Sequence, residues 1–108
     1  MKEQDEILRR LEKILIPLFR HSVRFRIAMV LNNSDKPLSF SEVMNSVGIV
    51  LSTPVLSYHL RALEAADLIK NIRELDTHTG KARSSFYELT ERGKVIINIF
   101  LEAIEGIP

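Results

Sequence analysis

Apolar residues recur along the chain at two different spacings, and the switch between them separates helices from a hairpin. At the N-terminus Ile7, Leu8, Leu11, Ile14, Leu15 and Leu18 follow the i, i+1, i+4, i+7, i+8, i+11 stripe of an amphipathic helix, which predicts a first helix from Lys2 to about Ile16. Pro17 lacks the N–H and clashes with the preceding turn, so it ends or kinks that helix. Ser22 is placed to cap a second helix running to about Leu31, with Val23, Ile27, Val30 and Leu31 inward. The polar run from Asn32 to Pro37 reads as a turn. Ser39 and Glu42 then form an S-x-x-E capping box for a short third helix with Phe40, Val43, Met44 and Val47 on one face, and Gly48 supplies its stop.

Thr53 followed by Pro54 reads as a cap and first-turn proline, opening a fourth helix to about Ala66 with Leu56, Leu60 and Leu63 as its inner stripe. The composition then turns toward β-strand over Leu68–Asp76 and again over Ser84–Leu89, where Tyr87 and Leu89 share a face. The polar stretch Thr77–Arg83 between them predicts a hairpin loop longer than the tight two-residue turns. Thr90 caps a final helix to about Glu105 that is apolar nearly all round, through Val95, Ile96, Ile97, Ile99, Phe100, Leu101 and Ile104. Such a helix is buried on more than one side. Four helices, two strands and a helix, with helices three and four joined by a short connector, describe a helix-turn-helix followed by a wing. The expected fold class is mainly α (α+β), a winged helix-turn-helix with N- and C-terminal dimerisation helices.

The outer face of the fourth helix carries Pro54, Ser57, Tyr58, Arg61 and Ala65. A plain solvated face ordinarily holds more Lys and Glu. Here the front turns offer hydroxyls and one guanidinium, groups that suit base edges and phosphates. The hairpin tip adds Lys81 and Arg83, with His78 and Thr79 nearby, and a basic loop there can reach the sugar-phosphate backbone or the minor groove. Arg20, Arg24, Arg26 and Lys36 form a further basic stretch, either flanking a groove or simply solvated.

Length and composition narrow the functional classes. The 108 residues fit one domain (1–108), with 1–19 and 90–108 as its terminal helices. Fifteen basic against 14 acidic residues give a net charge of +1, so any attraction for a polyanion has to come from local placement of charge. No cysteine is present, which excludes disulfides, zinc fingers and thiol-based sensing. His21, His59 and His78 lack ligand spacing, and His59 beside the inner stripe is expected to be half-buried. No nucleophile elbow, phosphate loop or buried carboxylate pair is visible, so no enzyme, metal or cofactor is expected. The apolar runs are too short to span a bilayer and the N-terminus has no signal-peptide pattern, making the cytoplasm the expected compartment. The terminal helices carry more apolar surface than a small core consumes. A dimer interface of Ile7, Leu8, Leu11, Ile14, Leu15, Ile96, Ile99, Phe100 and Ala103 would use the excess.

The segment His21–Ile99 resembles the winged-helix transcriptional regulators of the ArsR/MarR type. The matching stretches are HSVRFRIAMVL, LSFSEVMNSVGI, LSTPVLSYHLRALEAADLI and GKARSSFYELTERGK. The run S-x-H-L-x-x-L-E-x-A-x-L-I from Ser57 to Ile69, followed by Y-x-L-T-x-x-G from Tyr87 to Gly93, is fairly specific to that superfamily. The resemblance implies a homodimeric, sequence-specific regulator of double-stranded DNA, usually a repressor at a palindromic operator. By position it places Ser52, Thr53, Val55, Ser57, Tyr58 and Arg61 in the major groove, with Lys81 and Arg83 as wing contacts. Two departures stand out. The cysteine pair of the metal-sensing members is absent, which removes metal–thiolate sensing and leaves any small-molecule effector open. Asp67 stands where relatives often have Gly, so the helix exit falls to a residue that tolerates αL better than most. Other readings are a winged helix that docks on a protein, which the near-neutral charge favours, and an architectural non-specific DNA binder, which normally carries a larger positive excess.

Overall fold

The computed structural model describes residues 3–7, 9–10, 22–75 and 82–106. Residues 3–7 and 9–10 are helical (α1), with Arg10 paired to Glu6 at 2.8 Å one turn back. Next come α2 (Ser22–Asn32), β1 (Leu38–Ser39), α3 (Phe40–Ser46), α4 (Thr53–Ala65), β2 (Ile69–Leu75), β3 (Ala82–Leu89) and α5 (Glu91–Glu105). The strands form one antiparallel sheet in the order β1-β3-β2.

The helix-turn-helix is built as its sequence dictates. Ser39 Oγ accepts from the Glu42 N–H and Glu42 Oε1 accepts from the Ser39 N–H, both at 3.1 Å, a reciprocal capping box. Hydrogen bonds to its carboxylate, from the Ser39 N–H first and the Ser39 hydroxyl second, with the Lys36 charge adding to them, hold the Glu42 carboxyl below its ordinary pKa. Gly48 ends α3 at φ +78°, a conformation only glycine adopts without strain. The cap of α4 is Ser52 rather than the expected Thr53. Ser52 is extended, and its hydroxyl accepts from the Val55 N–H at 3.3 Å. Thr53 and Pro54 therefore occupy the first turn, where the N–H that proline lacks would have had no intrahelical partner.

Leu56, Leu60 and Leu63 drive α4 into the core, each at most 2% exposed, and full burial of one such side chain is worth about 2 kcal/mol. They meet Ile27 and Leu31 of α2, Val43 and Val47 at α3, Leu68 and Ile69 entering β2, Tyr87 and Leu89 of β3 and Ile97 of α5. The buried stripe of α2 differs from the expected one. It runs Arg24, Ile27, Ala28 and Leu31, leaving Val23 and Val30 half-buried.

Two strand assignments change. β1 was not expected: Leu38 pairs with Tyr87 and Ser39 with Phe86, too short a run to show a period of two. β3 begins at Ala82, because Leu75 pairs with Ala82 after a register shift at Glu74/Leu75. Arg83 therefore belongs to the strand and not to the loop; the backbone ladder extends past the point where apolar alternation ends.

The exit from α4 and the entry to α5 form a single junction. Leu68 N–H donates to Leu63 O at 3.0 Å and Asp67 N–H to Glu64 O at 2.9 Å, a Schellman closure with Asp67 at φ 59° in the place glycine usually takes. Thr90 caps α5 as expected, its Oγ1 accepting from the Gly93 N–H at 3.0 Å while donating to Asp67 O at 2.6 Å. Thr90 N–H also donates to Leu68 O at 3.0 Å. A Cβ on Gly93 would lie 2.1 Å from that same carbonyl oxygen. The two sequence motifs ending in Leu68-Ile69 and Thr90-x-x-Gly93 are thus the two sides of one contact.

Candidate nucleic-acid interface

Burial of the leucine stripe turns the opposite face of α4 outward. Ser52, Thr53, Pro54 and Arg61 are exposed, Val55 is 42% and Tyr58 60% exposed, and Ser57 is half-buried. At the front of the helix-turn-helix, Ile49 and the fully exposed Val50 extend the surface with apolar groups. The oxygen of Ser52 is engaged by the cap, which leaves its O–H to donate outward. Of the residues expected at the interface, α4 therefore gathers Ser52, Thr53, Val55, Ser57, Tyr58 and Arg61 on or beside one face. Lys81 lies outside the described residues. For Arg83 the strand position is described and the side chain is not.

Arg73 was missed by the sequence reading. It is exposed on β2 opposite Ser85, on the side of the hairpin shared by Asn71, Tyr87 and the buried Ile69 and Leu89. Burial first, and then the Glu64 carboxylate, raise the pKa of the Tyr87 hydroxyl, against the opposing pull of Arg73 and Arg61. The charges of Arg61 on α4 and Arg73 on the wing thus both act on the Tyr87 hydroxyl. A strand Arg reads in sequence like any solvated polar position, and only the register puts it on the hairpin face shared with Tyr87.

The basic stretch on α2 divides. Arg24 is 4% exposed, and its Nε donates to His59 Nδ1 at 3.1 Å. His59 is itself buried at 7%, deeper than expected. The Arg24 guanidinium carbon also lies 5.4 Å from the centroid of the Tyr58 ring. Arg26 is exposed and reaches Val47 O at 3.5 Å, and Lys36 pairs with Glu42 at 3.7 Å. Arg20 lies outside the described residues. Among the described residues no three His, Asp or Glu side chains converge to hold a metal ion, and no helix is long and apolar enough to cross a membrane.

Of the expected dimer residues, Ile7 is 56% and Ile99 57% exposed, and Val95 joins Ile99 one turn away at 57%. Ile96 and Phe100 are half-buried against the chain's own core, Phe100 with its ring 6.1 Å from that of Phe25. Leu8, Leu11, Ile14 and Leu15 lie outside the described residues, as does the side chain of Ala103.

A helix-turn-helix with a buried inner stripe, an exposed polar second helix and a three-stranded wing defines the winged helix-turn-helix class. Residues 20–72 match the family model described as a helix-turn-helix domain, and the chain has the winged helix-turn-helix fold of the solved structures on which it superposes. Reduced HlyU from Vibrio cholerae superposes with a TM-score of 0.72 at 23% identity, covering 95% of this chain and 97% of that one. The homodimeric winged helix-turn-helix domain Mb0332 of Mycobacterium bovis, a possible ArsR-family regulator, matches with a TM-score of 0.72 at 14% identity over 97% and 87%. A PadR family regulator from Clostridium difficile follows with a TM-score of 0.65 at 21% identity over 81% and 91%. No curated protein matches the chain in sequence.

Proposed function

We propose that the protein is a non-enzymatic, sequence-specific DNA-binding transcription regulator that acts as a homodimer, in the manner of a repressor at a two-fold operator. The observation that carries this reading is the split character of α4. Its leucines are sealed in the core while Ser52, Thr53, Val55, Ser57, Tyr58 and Arg61 face or border solvent from the second helix of a helix-turn-helix. The α4 face enters the major groove, Ser57 and Tyr58 offer hydroxyls, and Arg61 forks onto a base or phosphate. Arg73, Lys81 and Arg83 neutralise phosphates beside it. The exposed Val95 and Ile99 on α5, together with the apolar positions of the first helix, support self-association. A two-fold axis would space two α4 helices about 34–36 Å apart, one turn of DNA.

Selection of bound fragments from a random duplex pool at moderate salt tests this directly. Convergence on a two-fold repeat with half-sites about 10 bp apart is the expected result. Retention without convergence would identify an architectural binder.

A second reading is favoured by one observation: Ile49 and Val50 present an apolar tip on a chain of net charge +1. Docking on a protein through that tip would produce no duplex retention at all. It would also show little change between low and moderate salt, where DNA binding falls steeply.

A further inference from the structure

We infer that Arg24 is a positioning residue for the reading face: a guanidinium buried beneath α4 that aims the exposed Tyr58 ring by gripping it and its neighbour His59 together. The inference rests on the DNA-binding reading of α4.

Arg24 occupies a place where packing alone asks for an aliphatic side chain. It continues the stripe of Ile27, Ala28 and Leu31 on α2 and is 4% exposed. Burial of a charge is costly unless its environment compensates, so the guanidinium calls for a specific set of contacts. Two of them fall on consecutive residues of α4. A guanidinium only donates, so the 3.1 Å bond from Nε makes His59 Nδ1 the acceptor and leaves the imidazole proton on Nε2. The same cation stands 5.4 Å from the centre of the Tyr58 ring, within the range of a cation–π attraction. The Tyr58 ring in turn meets His59 edge-on, centroids 5.4 Å apart and planes at 66°.

Consecutive helix residues point about 100° apart. His59 therefore turns inward and Tyr58 outward, and Arg24 spans the boundary between them. Tyr58 at 60% exposure would otherwise sample several rotamers. Held against a fixed cation, its ring and hydroxyl are presented in one orientation, and less freedom remains to be lost on binding. Arg24 itself, being buried, touches no duplex. It acts through Tyr58.

A double-mutant cycle on the full chain, with the duplex recovered by pool selection as probe, tests the arrangement. Arg24→Met is expected to weaken binding about three- to thirtyfold when Tyr58 is present. In a Tyr58→Leu background it is expected to change affinity less than about twofold. Tyr58→Phe keeps the ring and should keep the sensitivity to Arg24→Met. Equal losses in both backgrounds would overturn the inference, since a purely architectural Arg24 contributes independently of Tyr58. Failure of the wild-type chain to bind any duplex would instead overturn the DNA-binding reading. If Arg24→Met does not fold, Arg24→Lys keeps the charge but removes the Nε donor, and the same cycle applies. In the free protein, NMR of the Tyr58 ring protons gives an independent readout. Arg24→Met should shift them while the chain remains folded, and unshifted resonances would refute the contact.

Discussion

Replacing Gly93 by alanine should destabilise the protein, although the same change on most helices stabilises it. The intrinsic gain from Gly→Ala within a helix is about 0.5–1 kcal/mol. Against this, the new methyl would stand 2.1 Å from Leu68 O, about 1.3 Å inside the 3.4 Å of ordinary contact, and 3.3 Å from Leu89 Cδ2. The first of these neighbours is backbone and cannot swing aside. It also accepts from the Thr90 N–H, and the adjacent Asp67 O accepts from Thr90 Oγ1. To relieve the overlap, α5 must withdraw from the corner between α4 and β2, straining two hydrogen bonds worth about 1 kcal/mol each. Overpacking of this kind adds about 1–3 kcal/mol. The balance is a net loss of about 3 kcal/mol, which for a domain of this size lowers the melting temperature by roughly 10–20 °C. Thermal and urea unfolding at fixed protomer concentration measure it, fixed because self-association would couple to stability. Lys94→Ala, on the exposed side of the same turn, serves as the control and should stay within about 0.5 kcal/mol of wild type. A Gly93→Ala protein as stable as wild type would refute the account of the junction.

Asp67→Val forces a β-branched residue to φ 59° and should cost about 1–2 kcal/mol in urea unfolding, whereas Asp67→Asn should be nearly neutral. Because the Glu42 pKa is lowered in the folded chain, its contribution to stability is present above the unfolded-state pKa and fades as pH falls through the folded value. Ser39→Ala removes the hydroxyl but keeps the backbone donor, so it should move the Glu42 titration part of the way upward by NMR and flatten that acid limb; an unmoved titration would remove the Ser39 hydroxyl as a cause. On the proposed operator, Arg61→Ala should weaken binding by about 1–3 kcal/mol and relax preference at one base. Lys81→Ala should weaken all duplexes alike and reduce the salt slope by about one.

What the sequence disclosed depended on whether the signal was local. The α3 capping box, the Gly48 stop and the α4 leucine stripe each lie within one helix, and each is found where the pattern puts it. The Asp67 exit was marked through the family resemblance, where relatives often have Gly, and the residue does sit at φ 59°. The cap of α4 was misplaced by one residue because Ser52 and Thr53 are both good caps, and only backbone geometry chooses between them. Non-local contacts were hidden. β1 is two residues borrowed by β3 across the fold, and Arg83 joins its strand through pairing with β2 rather than through any apolar rhythm. Arg24 was read as either flanking a groove or simply solvated, yet its spacing of three and seven from Ile27 and Leu31 already placed it on the buried stripe. The exposed face of α4 was legible as a face, while the cation beneath Tyr58 required the folded chain.

The two ends of α4 are closed by Ser52 on one side and the Asp67 turn on the other, and the inner stripe holds its middle. Thr53, Arg61 and Ala65, exposed and outside all three devices, can change one at a time at a stability cost within about 0.5 kcal/mol each. If α4 reads DNA as proposed, a lineage of such chains can therefore walk from one partner sequence to a neighbouring one without ever passing through an unfolded ancestor. Tyr58 is the exception on that path, since altering it strands the buried cation of a different helix. Drift should accordingly run freely around that ring and pause at it.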